Sequence, residues 1–148
     1  MNYPRYGAVF LAVALGTAFL VGLLQVSMDQ AIGLYARILV PAMIAALIEG
    51  QQFVKRNRRK PNTAEAWGFA ITATGVAMVL NLTLGYMVPN FAPAFAALTE
   101  APAFSIDFNT LLVIYVMGYL VSNRFFLALG VGNEVSADKR RDEMKGPK

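Results

Sequence analysis

Glu49 and Arg124 are the two residues in this chain best placed to do chemistry, because each is ionisable and surrounded by apolar sequence. Each sits about five residues, roughly 7 Å of helix, inside the end of an apolar run that leads into a basic segment. A charge at mid-bilayer depth costs at least ~2.5–3.5 kcal/mol, so equal depth and opposite sign predict an intramembrane ion pair. Gln51, Gln52, Ser122 and Asn123 flank the two and can meet their remaining hydrogen-bonding capacity. Such a pair supports either a polar clamp between two helices or a proton-labile, substrate-facing charge in a transport path. The clamp is favoured, because a transport carboxylate needs a polar path on both sides and the far halves of these runs offer little. Asn81 is a further polar residue within a run, and spacing identifies no partner for it. Arg37, near the start of its run, is expected to extend outward to head groups, with Pro41 one turn deeper freeing a carbonyl and bending the helix.

Much other chemistry is ruled out by composition. The chain contains no cysteine and no histidine, so it has no thiol nucleophile, no disulfide and no imidazole ligand for haem, zinc or copper. Its nine acidic residues are scattered without metal-ligand spacing. Neither a nucleophile elbow nor a phosphate-cradling glycine loop occurs. No enzyme activity, no metal and no cofactor is expected.

The elements that must carry Glu49 and Arg124 are four apolar runs, residues 6–26, 34–54, 66–88 and 108–129, each near the roughly 20 residues that span hydrocarbon as a helix. Hydrophobic residues make up 57% of the chain and charged residues 15%, more apolar surface than a soluble domain of 148 residues could bury. The expected fold is all-α: a polytopic membrane protein of four transmembrane helices in two antiparallel hairpins over residues 1–129. Residues 130–148 are expected to form a polar cytoplasmic tail, a short helix fraying into a disordered end. The first run is longer than the roughly 7 to 15 residues of a signal-peptide core and no A-x-A site follows it, so it reads as a retained span.

Charge sorting orients these spans. With both termini in the cytoplasm, every lysine and arginine except Arg37 falls at the inner face, while Asp29, Glu100 and Asp107 fall outside. The run Lys55, Arg56, Arg58, Arg59 and Lys60 is the densest basic segment. Pro61 stops the preceding helix, Asn62 and Glu65 have capping-box spacing, and Trp67 stands at head-group depth. These basic residues and Trp67 read first as a topology anchor, and also as contacts for anionic lipid head groups or an acidic partner. The net charge of +4 is therefore assigned to the membrane surface, and no nucleic acid partner is expected.

Phe53-Val54-Lys55-Arg56 followed by Arg59-Lys60-Pro61-Asn62-Thr63-Ala64-Glu65-Ala66-Trp67, between the second and third spans, resembles a family of small four-span proteobacterial inner-membrane proteins without an assigned function. The resemblance implies the architecture, a bacterial origin and the inner (plasma) membrane, and carries no activity or site residue.

Small residues recur at four-residue spacing: Ala8, Ala12 and Gly16, with Ala14, Ala18 and Gly22, in the first span; Ala42, Ala46 and Gly50 in the second; Ala73, Ala77, Asn81 and Gly85 in the third. They allow close helix approach, within one bundle or between subunits. The connection 90–106, with Pro93 and Pro102, is expected to hold a short interfacial helix over residues 94–98, and Asp107 to cap the fourth span. A loose parallel between residues 47–54 and 120–127 hints at a repeated hairpin. The resulting expectation is a non-enzymatic structural or accessory component that contacts membrane lipids and other membrane subunits or further copies of itself. The alternative is a small oligomeric transporter or channel centred on Glu49 and Arg124.

Overall fold

The computed structural model describes residues 1–24, 30–90 and 93–144, with side chains described except at 21–36 and Pro93. Asp29, Phe91, Lys145 and Lys148 lie outside the described residues, as does the side-chain environment of Gly22. The elements are α1 (Tyr3–Leu24), α2 (Gln30–Asn57), α3 (Thr63–Met87), a 3-10 turn (Pro93–Phe95), α4 (Ala97–Glu100) and α5 (Ile106–Met144). Four of them, α1, α2, α3 and α5, are long and apolar enough to cross a membrane.

Local chemistry sets the helix ends. Asn2 Oδ1 accepts the Arg5 N–H at 3.0 Å, so α1 begins on an asparagine cap with Pro4 in its first turn, where no donor is needed. At the start of α3, Asn62 and Glu65 form the full capping box: Asn62 Oδ1 accepts the Glu65 N–H and Glu65 Oε2 accepts the Asn62 N–H, both at 2.8 Å. Helix α2 ends at Asn57, ahead of Pro61, because Arg58 turns into the left-handed region (φ 54°) while its N–H still reaches Val54 O at 2.8 Å. At the start of α5 the cap is Ser105 rather than Asp107: Ser105 Oγ accepts the Phe108 N–H at 3.1 Å, and Asp107 lies inside the first turn.

Helices α1 and α3 run one way and α2 and α5 the other, in two hairpins that meet along α2 and α5. This central pair is parallel and crosses on glycine. A Cβ on Gly50 would strike the Leu127 carbonyl oxygen, and a Cβ on Gly130 would strike the Leu47 carbonyl oxygen. The reciprocity reflects one pattern used twice, leucine and then glycine three residues later, at 47–50 and 127–130. The relation between the hairpins suspected at 120–127 thus lies two turns further along α5. With Ala42, Ala45 and Ala46 also buried, two backbones approach where lipid would provide no hydrophobic drive.

Small residues serve different ends elsewhere. Ala8, Ala12 and Gly16 face outward on α1, while Tyr6, Phe10 and Ala14 make its buried stripe. On α3, Gly85 admits the segment 93–100 rather than a helix: a Cβ there would come within 2.6 Å of Phe95 O and 2.8 Å of Thr99 Cγ2. That segment buries Ala94, Phe95, Ala96 and Leu98, and Phe95 meets Phe10 edge-on (centroids 6.3 Å apart), closing the bundle at the end away from the basic loop. A short helical segment therefore exists where expected, and it caps the bundle. Tyr6, Phe10, Phe69 and Tyr119, all fully buried, fill the space between the helices.

The main departure from expectation is α5. It does not end near Leu129 but continues unbroken to Met144. Its buried stripe, Tyr115, Tyr119, Asn123, Leu127, Gly130 and Glu134, passes through the expected end without interruption because the helix still has α2 to pack against. Residues 130–144 are helix held to the last turns of α2, with Glu134 pairing with Lys55 at 3.5 Å.

Candidate functional site

The ionisable residues gather at the basic end of the bundle, where the start of α1, the α2–α3 loop and the distal half of α5 come together. Glu49 is there, but its partner is Arg5. The two form a fork, Arg5 Nε to Glu49 Oε1 at 2.5 Å and Nη2 to Oε2 at 2.9 Å, and the Asn2 N–H donates to Oε2 at 3.0 Å. Glu49 is 1% exposed. A two-pronged guanidinium and the positive end of α1 together stabilise this carboxylate, and they fix the first turn of α1 to α2. Beside it lies a cavity of about 350 Å³ whose lining includes Met1, Gln52, Arg56 and Asn57; Gln52 thus borders the clamp without bonding to it.

The expected Glu49–Arg124 pair does not form. Its premise of equal depth took Leu129 as the end of the fourth span. The glycine crossing instead places Glu49 level with residues near 128–129, so Arg124 lies about one turn, roughly 6 Å, deeper in the bundle. Arg124 also faces α3 rather than α1. Its Cζ lies 5.6 Å from the centroid of the Trp67 ring, a cation–π distance, and its Nε is buried without a hydrogen-bond partner. Arg124 borders a second cavity, of about 270 Å³, that also includes Lys60, Thr63 and Gly132.

Further in, polar side chains tie the helices in small closed sets. The Tyr6 hydroxyl donates to Asn123 Oδ1 at 2.8 Å, and Asn123 Nδ2 donates to Thr74 Oγ1 at 3.3 Å, joining α1, α5 and α3. Asn123 therefore supports neither Glu49 nor Arg124. Asn81, for which sequence offered no partner, donates to the Tyr119 hydroxyl at 3.0 Å, and its Oδ1 is buried without a partner. Arg37 Nε is likewise buried without a hydrogen bond.

Within the basic loop the charges are unequally used. Arg59 forks onto Glu65 at 2.6 and 2.8 Å, and these hydrogen bonds, with Glu65's charge, raise its pKa above the ordinary arginine value. Lys55 pairs with Glu134, and Arg58 lies 3.9 Å from Asp138. Arg141 bridges Glu134 at 3.1 Å and Asp138 at 2.9 Å. Among the described residues Arg56 and Lys60 form no ion pair. Sequence reasoning passed over Arg5, counted only as a topology charge, and Glu134, assigned to a fraying tail. Glu134 was findable: 123, 127, 130, 134, 138 and 141 continue one helical stripe beyond the apolar run.

The fold and these sets define a four-helix bundle of membrane-spanning length with most of its described charged residues at one end. No family model matches the chain, and no curated protein and no solved structure is similar to it.

Proposed function

We propose that this protein is a non-enzymatic structural or accessory component of a bacterial inner membrane, with both termini cytoplasmic, working beside other membrane subunits or further copies of itself and touching anionic lipid at its inner face. The Arg5–Glu49–Asn2 clamp carries this reading: Glu49, the most deeply buried carboxylate among the described residues, is fully engaged in fixing helix to helix. The rings of Tyr6, Phe10, Phe69 and Tyr119 fill the bundle beyond it, so the cavity beside Glu49 meets packed side chains. The sorted basic residues and the resemblance of the 53–67 segment support the membrane and the orientation.

A second reading, a small oligomeric transporter or channel, draws on the unpartnered Asn81 Oδ1 above Asn123 and Thr74. Purification from the native host in mild detergent, with native mass measurement, separates the two when joined to flux assays on reconstituted vesicles. The accessory reading expects a stable assembly with a defined subunit ratio and no flux. A lone monomer, or a solute or proton flux abolished by Glu49→Gln in a protein that still assembles, overturns it.

A further inference from the structure

We infer that the cleft between the start of α3 and α5 binds a phosphate group, presented by an anionic phospholipid of the adjoining leaflet or free in solution. It deepens the anionic-lipid contact proposed above by giving it one location. The cleft holds about 270 Å³ beside Lys60, Asn62, Thr63 and Arg124, and none of its lining residues is acidic. Its two cations have no anionic partner among the described residues, whereas Arg5, Lys55, Arg58, Arg59 and Arg141 each have one. Arg124 Nε is buried and without a hydrogen-bond partner, a donor that an anion in the cleft would satisfy. A phosphate suits the fork of a guanidinium, and Lys60 adds a point charge from the loop.

The surroundings match a lipid as well as an ion. Thr63 and Ala64 open α3, where their N–H groups have no carbonyl behind them within the helix, and the Glu65 carboxylate of the same turn is taken up by Arg59 and the Asn62 N–H. Trp67, nearly half exposed, stands against Arg124 on the outer surface, and Leu127 and Ala128, a turn nearer the basic end than Arg124, supply apolar lining. An acyl chain can thus leave the cleft along the lipid-facing side while the phosphate stays between Lys60 and Arg124.

Trp67 is the chain's single tryptophan and stands against Arg124, so its fluorescence reports on lipid beside this cleft. The full chain is reconstituted in vesicles carrying brominated phosphatidylglycerol or brominated phosphatidylcholine, and quenching is compared. Wild type should favour the anionic quencher by at least about fivefold. The double variant Lys60→Gln with Arg124→Gln should bring that ratio to about one, and Lys139→Gln with Arg140→Gln, which removes the same charge elsewhere, should leave it unchanged. Retained selectivity in the cleft variant, or equal loss in the control, overturns the site. Should the double variant fail to fold by circular dichroism, Lys60→Gln alone, at an exposed position, must still lower the ratio. If wild type shows no headgroup preference, the general anionic-lipid reading fails. The cleft then survives only if inorganic phosphate shifts Trp67 emission in wild type and not in the cleft variant; with neither response, it too is overturned.

Discussion

Arg5 and Arg124 are the same side chain at the same end of one bundle, and the structure uses them in opposite ways. Arg5 meets a carboxylate, a helix start and a backbone N–H in one closed set, whereas Arg124 meets only the face of Trp67 and an open cleft. Charge and burial do not separate them. What does is level and direction: the glycine crossing sets Glu49 about a turn nearer the basic end than Arg124, and the opposite flanks of the α2–α5 pair turn one toward α1 and the other toward α3. A cation satisfied from within fixes structure, and one left over is available to something outside.

The crossing is therefore the place to break this arrangement, with the largest effect expected. Gly130→Val puts a side chain against the Leu47 carbonyl, and neither backbone can yield without moving a helix. A loss of about 3 kcal/mol or more is expected, read as a collapse of the thermal midpoint in detergent or as absence of folded protein. Gly75→Ala, where an added Cβ meets nothing within 4 Å, should be neutral or stabilising by up to ~1 kcal/mol. Equal stability of the two variants would show that α2 and α5 do not cross on Gly130.

The contrast between the arginines is sharpened by removing each charge set in turn. Glu49→Gln leaves Arg5 and the first turn of α1 facing a neutral amide. Breaking a fully buried pair costs about 3–5 kcal/mol. With Arg5 about a quarter exposed, about 2 kcal/mol is the expected loss. Arg124→Gln gives up a cation–π contact and relieves an unpartnered buried nitrogen, so its net cost should stay below ~1 kcal/mol. Arg5→Gln added to Glu49→Gln should cost little more, since the two share one interaction. Thermal unfolding of the three variants decides the matter, and an Arg124→Gln loss as large as that of Glu49→Gln would erase the distinction.

Most of the fold could be read from the sequence because it rests on local signals: apolar length gave four spans, and Asn62 with Glu65 gave a cap. The site was less legible because pairing depends on where helices cross. Leu47–Gly50 and Leu127–Gly130 carry that information, yet a glycine after an apolar run reads as its end as readily as a contact point. Taking Gly130 as an end shifted Arg124 to the wrong level, paired it with Glu49, and left Arg5 among the topology charges. Asn123 and Asn81 were recognisable as polar residues at depth, but tyrosine partners on helices far away in sequence cannot be found by counting.

Glu134 tests whether the rule of satisfied and leftover charges extends to the projecting part of α5, with the smallest effect. It is 5% exposed, as buried a carboxylate as this half of the helix offers, but its partners Lys55 and Arg141 are each about half exposed, so water and salt screen the set. Glu134→Gln should leave the thermal midpoint within the range expected of a loss of ~1 kcal/mol or less. The change belongs instead in hydrogen exchange: amides over 134–144 should exchange up to about fivefold faster as the end of α5 loosens from α2, while α1 and α3 keep their protection. Raising salt to about 0.5 M should move wild type toward the variant, because the Debye length then falls close to the ion-pair distance. Unchanged exchange in the variant would mean that helix propensity and the Gly130 crossing hold the arm by themselves, and that a buried carboxylate in this molecule need not be a clamp.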